Sequence, residues 1–157
     1  MIEWKLTPQD VARIRFAISP LLELVLSLVV LRAPERHSLH LRWVRWALPR
    51  LTGLDLAELF ALTPVRGITA DFLTPPPMSP LPDIAAQLDI VRHTPGDRVL
   101  IDLVDVPGVP EPVLKRIRDD PAGATGRLAD ALRACWDRVL AEHWPRIQAQ
   151  LDADVLW

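Results

Sequence analysis

Residues 19–32 of the chain read SPLLELVLSLVVLR, and this stretch predicts how the other segments are arranged. Ser19 is a suitable N-cap because its hydroxyl can accept from a first-turn N–H, and Pro20 suits the first helical position. Only Glu23 and Ser27 interrupt the apolar residues that follow. A helix that is apolar around most of its circumference must be covered on most sides. The stretch therefore predicts a buried helix, which is too short to cross about 30 Å of hydrocarbon.

The composition is that of a single globular domain. The chain has 157 residues, half of them apolar, with a mean hydropathy of +0.16, so one sizeable core is expected. A net charge of −2 argues against non-specific nucleic-acid binding, which needs a basic field. The single cysteine, Cys135, excludes an intramolecular disulfide. Because the N-terminus also lacks a signal-peptide pattern, we expect a cytoplasmic protein without a membrane span.

The periodicity of the whole chain predicts a mainly α fold. We expect an irregular multi-helix bundle around a buried central helix at about residues 20–32, with one short N-terminal strand and a proline-rich strap. The run of residues 99–106 fits a helix or a strand, and the capping signature at residues 94–97 favours the helix. The clearest amphipathic stripe carries four apolar residues at helical spacing: Leu128, Leu132, Cys135 and Val139.

The two ends of the sequence lack partners. Ile2, Trp4 and Leu6 alternate with charged residues, which is the pattern of a half-buried strand. No other segment is an obvious mate, and an isolated strand leaves its backbone groups unpaired. The final periodic helix reaches Trp157 without a stop signal. We therefore expect residues 1–157 to form a single helical domain, the N-terminal part of a longer chain.

The proline-rich strap is residues 71–77, DFLTPPP. Three consecutive prolines exclude a helix interior, so its end is extended. Phe72 and Leu73 would anchor the strap across the helices, and Asp71 could cap a turn or pair with Arg66. Two roles stay open: a structural strap, or one wall of an effector pocket.

Catalytic signatures are mostly absent from the sequence. It contains no GxSxG, GxGxxG, GxxxxGK[ST], HExxH or CxxC motif. Cys135 falls on an apolar stripe, which favours a buried, inert thiol. His143 is interpreted as a satisfied helix-end residue. Other titratable residues that could carry chemistry are interpreted as solvated, capping or surface groups: His37, His40, Asp102, Asp105, Asp119 and Asp120. We expect no catalytic residue, no metal and no cofactor.

A cluster of arginines is the most nucleic-acid-like feature. Trp43 and Trp46 lie among five arginines, with only Glu35 opposing them. Aromatic side chains among arginines are typical of proteins that grip single strands. The alternative is an amphipathic helix whose tryptophans face the core, and the negative net charge favours it. The arginines are Arg32, Arg36, Arg42, Arg45 and Arg50.

Four stretches resemble a known family. They are residues 7–15 (TPQDVARIR), 66–77 (RGITADFLTPPP), 127–133 (RLADALR) and 143–155 (HWPRIQAQLDADV). Together with the opening strand they resemble actinobacterial transcription regulators of the arsenical-repressor (ArsR-like) winged-helix class, which carry a long helical N-terminal domain. The resemblance implies that the winged helix-turn-helix lies beyond this sequence, so no DNA-binding residue is expected here.

The resemblance implies a non-enzymatic domain for dimerisation, effector sensing or both. Its partners would be a second copy of the chain, DNA through the missing part, and an apolar or aromatic small-molecule effector. The candidate ligand-binding residues are aromatic: Trp43, Trp46, Phe72, Trp136 and Trp144. The alternative is a stand-alone small-molecule-binding or protein-interaction module unrelated to DNA.

Overall fold

The structure is a computed structural model that describes Lys5, residues 7–12 and residues 17–155. Within these ranges the protein is mainly helical and contains no strand, which confirms the mainly α prediction. The predicted strand falls on residues 2–6, and apart from Lys5 it lies outside the described residues. The predicted lack of a helix stop at Trp157 also lies outside them.

Nine α-helices occur in the described ranges. They are α1 (Pro8–Ala12), α2 (Pro20–Arg32), α3 (Leu41–Ala47), α4 (Ala57–Leu62), α5 (Ile84–Arg92), α6 (Gly96–Asp102), α7 (Glu111–Asp119), α8 (Pro121–Cys135) and α9 (Trp144–Val155). Short 3-10 turns occupy Pro34–Arg36, Ser38–His40, Leu48–Leu51, Asp71–Leu73 and Leu103–Asp105, and a π-helical segment occupies Trp136–Leu140. Residues 96–105 are thus helical, as Gly96–Asp102 and the 3-10 turn Leu103–Asp105, which confirms the preference for helix over strand, although no side chain caps this helix.

The start of α2 is fixed by two side chains. Ser19 Oγ accepts from the Leu22 N–H at 3.0 Å, which confirms the predicted cap. The buried amide of Gln87, on α5, donates to Ser19 Oγ at 2.9 Å and accepts from the Leu21 N–H at 3.1 Å. Two of the orphan first-turn N–H groups are therefore paired without water.

Only part of the α2 surface is covered. Leu21, Leu24 and Leu28 are completely buried, whereas Leu22 is 41% exposed and Leu26 is 50% exposed. The prediction that this helix is covered on most sides is therefore too strong. One stripe of apolar side chains remains open to solvent.

The helix that most others pack against is α8 rather than α2. It contacts α2, α4, α5, α6 and α7. Small buried residues such as Ala124 and Ala129 let the neighbouring backbones approach closely. Thr125 Oγ1 donates to the Arg92 carbonyl at 2.9 Å, so α8 also closes the carboxyl end of α5.

The predicted stripe of α8 is confirmed, and it continues through a wider turn. Its four apolar residues are at most 1% exposed. In the π segment, the Ala141 N–H donates to the Trp136 carbonyl at 2.9 Å, five residues back. Trp136, Val139 and Leu140 are all buried there. Pro145 then lies in the first turn of α9, so it begins a new helix and does not kink an old one.

The proline-rich strap is anchored as predicted, but by a different partner. Phe72 is 4% exposed and Leu73 is completely buried. The Phe72 N–H donates to Asp102 Oδ2 at 2.8 Å, and Arg98 Nε lies 3.1 Å from Asp102 Oδ1. Asp71 lies 3.9 Å from Arg98, so its ion-pair partner is Arg98 and not the predicted Arg66. The prediction of Asp102 as a surface acid is wrong, because its side chain is only 4% exposed.

Candidate functional site

A groove of about 470 Å³ opens between α2, α3 and the start of α9. This volume falls within the range of about 300–1,000 Å³ typical of small-molecule sites. Its walls are mainly apolar, with four polar or charged side chains besides a serine hydroxyl. The lining residues are Glu23, Leu26, Ser27, Val30, His40, Trp43, Leu140, His143, Arg146 and Ile147.

The α2 wall is a single stripe of the helix. Glu23, Leu26, Ser27 and Val30 are spaced at i, i+3, i+4 and i+7, which places them on one face. Leu26 is the most exposed of the large apolar residues on this helix. Ser27 Oγ donates to the Leu24 carbonyl at 2.7 Å, so its hydroxyl proton is already used. The stripe therefore presents apolar surface and hydrogen-bond acceptors.

Glu23 is the charged group of this wall. It is half-buried, and within the described part of the chain its carboxylate makes no hydrogen bond or ion pair. Burial raises the pKa of Glu23, because losing water disfavours the ionised form. An unpaired, partly desolvated carboxylate beside apolar side chains is typical of functional sites.

The opposite wall is built on a tryptophan–histidine contact. The rings of Trp46 and His143 meet edge to face, with centroids 4.6 Å apart. His143 Nε2 is buried and makes no hydrogen bond to the residues that the structure describes; a carboxylate oxygen of Glu142 lies 3.5 Å away. The prediction of His143 as a satisfied helix-end residue is therefore wrong. Arg146, one turn further on, is exposed at the rim.

The five predicted aromatic residues do not form one site. Trp43 lines the groove, and Trp46 lies behind His143. Trp136 and Trp144 contact each other, with centroids 5.5 Å apart, and line a smaller cavity of about 250 Å³ beside Ile84. Phe72 lines a third, open cavity beneath the prolines of the strap. Three separate places thus hold the residues that the sequence suggested for one pocket.

The arginine cluster is an amphipathic helix with its tryptophans turned inward. Trp43 and Trp46 are half-buried and pack against the core, whereas Arg42 and Arg45 are exposed. Arg50 lies over the Trp46 ring at 3.9 Å from its centroid. One face of the Trp46 ring is therefore already covered by Arg50. This arrangement confirms the structural interpretation of the cluster.

Arg32 differs from the other arginines of the cluster. Its guanidinium donates to the carbonyls of Phe60 and Thr63 and lies 4.8 Å from the centroid of the Phe60 ring. It therefore closes the carboxyl end of α4, where helical carbonyls lack partners. Partial burial lowers the pKa of Arg32 without neutralising it.

Of the remaining candidates for chemistry, His40 lines the groove and Cys135 does not. Cys135 is completely buried, and burial raises its pKa to about 12. The rings of His37 and His40 lie 6.4 Å apart. Among residues 7–12 and 17–155, no three His, Cys, Asp or Glu side chains are grouped to hold a metal ion.

Comparisons with protein families, with curated proteins and with solved structures find no match to this chain. Across the described residues, none of the helices combines the length and the apolar character needed to span a bilayer.

Sequence reasoning missed the polar members of the groove. Glu23 was visible only as an interruption of an apolar helix. Glu23 and Ser27 are four residues apart, so they are predicted to lie on one side of the helix. Because most residues of the helix are apolar, however, the sequence predicts that this side is covered by other parts of the protein. The useful signal was the charge itself, because an acid in an otherwise buried helix must face water or a partner.

Proposed function

We propose that this domain is the non-enzymatic effector-sensing and dimerisation module of a winged-helix transcription regulator, acting in the cytoplasm. The observation that carries the proposal is the groove between α2, α3 and α9. It offers apolar walls, a tryptophan and an unpaired carboxylate, the combination expected of a small-molecule site. The link to DNA rests on the family resemblance of the sequence.

The two main walls of the groove come from opposite ends of the described chain. Glu23 and Leu26 lie on α2, whereas Arg146 and Ile147 lie on α9. A ligand that contacts both walls stabilises the arrangement in which the two helices face each other. A DNA-binding part attached beyond α9 would then receive the change in position or mobility of that helix.

Dimerisation is supported by a second exposed surface. Leu100 on α6 is 37% exposed, and Ile101 and Val104 beside it are 58% and 82% exposed. Contiguous apolar side chains on a surface mark interaction sites. Sedimentation of the wild type and of an Ile101→Ser, Val104→Ser double variant tests this part. We expect a dimer for the wild type and a monomer for the variant.

The alternative function is a stand-alone small-molecule-binding or interaction module without a role at DNA, and the same groove favours it. Selection of bound fragments from a random DNA pool, using the protein expressed from its whole gene, separates the two. Enrichment of a defined sequence supports the regulator. A pool that stays random supports the stand-alone module.

Ligand binding itself is tested by thermal shift with a panel of aromatic amines, alcohols and acids. Compounds that bind only the folded state raise the melting temperature. We expect a rise for the wild type, and we expect Leu26→Gln, which places an amide in the groove, to abolish it. Leu22→Gln is the matched control, because Leu22 is on the same helix and exposed but does not line the groove. A flat response across the panel contradicts the sensing role.

A further inference from the structure

We infer that the groove takes an amphipathic organic cation, whose ammonium group binds Glu23 and whose apolar body lies along Leu26 and Val30. This inference rests on the proposed function, because it names the chemical class of ligand for the same groove. Four properties of the groove support it: the hydrogen-bonding groups, the state of the carboxylate, the aromatic wall and the position of the competing cations.

The α2 wall offers acceptors and no side-chain donor. The ionised Glu23 carboxylate is acceptor-only, and the Ser27 O–H already donates a hydrogen bond to the Leu24 carbonyl. The backbone N–H groups in the middle of a helix are used within the helix. A ligand that binds this wall must therefore bring donors, and a primary ammonium brings three.

The carboxylate of Glu23 has no partner among the described residues, although it is half-buried. Partial loss of water makes the ionised form costly, and the raised pKa of Glu23 agrees with this. A bound cation would supply a charge-assisted hydrogen bond, the stronger kind, and would remove the cost. A bound cation would thus give the Glu23 carboxylate a partner that the described residues do not provide.

The apolar and aromatic walls define the rest of the ligand. Leu26 and Val30 are one helical turn apart, so they form a continuous apolar surface next to Glu23. Trp43 lines the groove from α3, and tryptophan is the aromatic side chain that attracts cations best. A phenyl or alkyl body with an amine at one end matches this order of groups.

The groove also contains three basic side chains, which would favour an amphipathic acid instead. They are His40, His143 and Arg146. Arg146 is exposed at the rim, where water solvates its guanidinium, and His143 Nε2 is buried. Of the Glu23 carboxylate and the Arg146 guanidinium, the half-buried carboxylate is therefore the less solvated charged group. Because a Coulomb interaction in water is weak, an acid at the rim gains less than a cation inside.

Three probes with one shared body separate the charge of the ligand from its apolar part: 3-phenylpropylamine, 3-phenylpropanol and 3-phenylpropanoate. Isothermal titration calorimetry at pH 7.5 measures their Kd for the wild type, for Glu23→Gln and for Glu35→Gln. Glu35 is an exposed acid outside the groove and serves as the matched control. We expect the amine to bind the wild type about tenfold more tightly than the alcohol. Glu23→Gln should remove this preference, and Glu35→Gln should retain it.

The other outcomes separate a failure of this inference from a failure of the proposed function. Equal binding of the three probes, lost in Leu26→Gln, supports the groove and overturns the cation. Tighter binding of the propanoate, lost in Arg146→Gln, also overturns the cation and assigns an acid. If no probe binds the wild type at millimolar concentration, both the cation and the sensing role are overturned.

Discussion

Replacement of Asp102 by alanine tests how the proline-rich strap is held. In the folded protein the Asp102 carboxylate accepts from the buried Phe72 N–H and from Arg98. The alanine leaves that N–H unpaired, which costs about 1–3 kcal/mol. The ion pair adds less than about 1 kcal/mol, because the Arg98 side chain is 54% exposed. We expect Asp102→Ala to lower the free energy of unfolding by about 1–4 kcal/mol.

Urea denaturation followed by circular dichroism measures this loss, with two matched variants. Asp102→Asn keeps an oxygen for the Phe72 N–H and removes the charge, so we expect a loss of about 1 kcal/mol. Arg98→Gln removes the ion pair alone and should cost less than about 1 kcal/mol. Hydrogen exchange of the Phe72 amide gives a local readout, which should accelerate most in Asp102→Ala.

Two results would refute this reasoning. If Asp102→Ala unfolds within about 0.5 kcal/mol of the wild type, the carboxylate does not hold the strap. If Arg98→Gln costs as much as Asp102→Ala, the ion pair and not the backbone hydrogen bond is the main contribution.

Three further changes probe the core and the groove. Gln87→Leu leaves the Leu21 N–H unpaired and removes the amide hydrogen bond to Ser19 Oγ, so we expect about 1–3 kcal/mol of lost stability in urea. A cost below that of the exposed Gln150→Leu would contradict this role. Cys135 is buried and its pKa is raised to about 12. The folded protein should therefore resist an aromatic disulfide reagent at about pH 8 and react fully once unfolded. Rapid labelling of Cys135 in the folded protein would contradict this expectation. Because the pKa of Glu23 is raised above 4.5 on folding, the wild type loses stability as pH rises through that raised pKa. Glu23→Gln should therefore be more stable than the wild type at pH 7 and equally stable below about pH 4. Urea unfolding at both pH values measures the difference. A variant that is less stable than the wild type at pH 7 would contradict this prediction.

The parts of the fold that could be predicted are those decided by neighbours in sequence. Ser19 caps α2 because the group it binds is three residues away. The buried stripe of α8 follows from a spacing that any amphipathic helix shows. The helix at Gly96–Asp102 was likewise predicted from local sequence, although no side chain caps it and the Thr94 hydroxyl donates to the Ile90 carbonyl instead.

The parts that could not be predicted depend on contacts between distant segments. Asp102 reads as a surface acid because its partner, the Phe72 N–H, is 30 residues earlier in the chain. The role of α8 as the packing centre depends on five other helices. The exposed side of α2 depends on which neighbours reach it, and hydrophobicity alone does not contain that information.

The same limit applies to the site. A tryptophan in a sequence indicates a large buried area but not which surface buries it. Trp136 and Trp144 therefore contact each other, while Trp43 lines a groove elsewhere. Of the five aromatic candidates, Trp43 lines the groove, Trp46 lies behind His143, and the other three line two separate cavities.

The wide turn at Trp136–Leu140 has a consequence for evolutionary comparison. Its hydrogen bond spans one residue more than an ordinary helical turn. In a homologue that lacks this extra residue, the correct alignment has a one-residue gap inside the helix, even when all loops have the same length. Insertions and deletions are usually assigned to loops, so an automatic alignment would move the gap into residues 141–143. The positions between the true gap and the assigned one, Leu140 of the groove among them, would then be shifted by one.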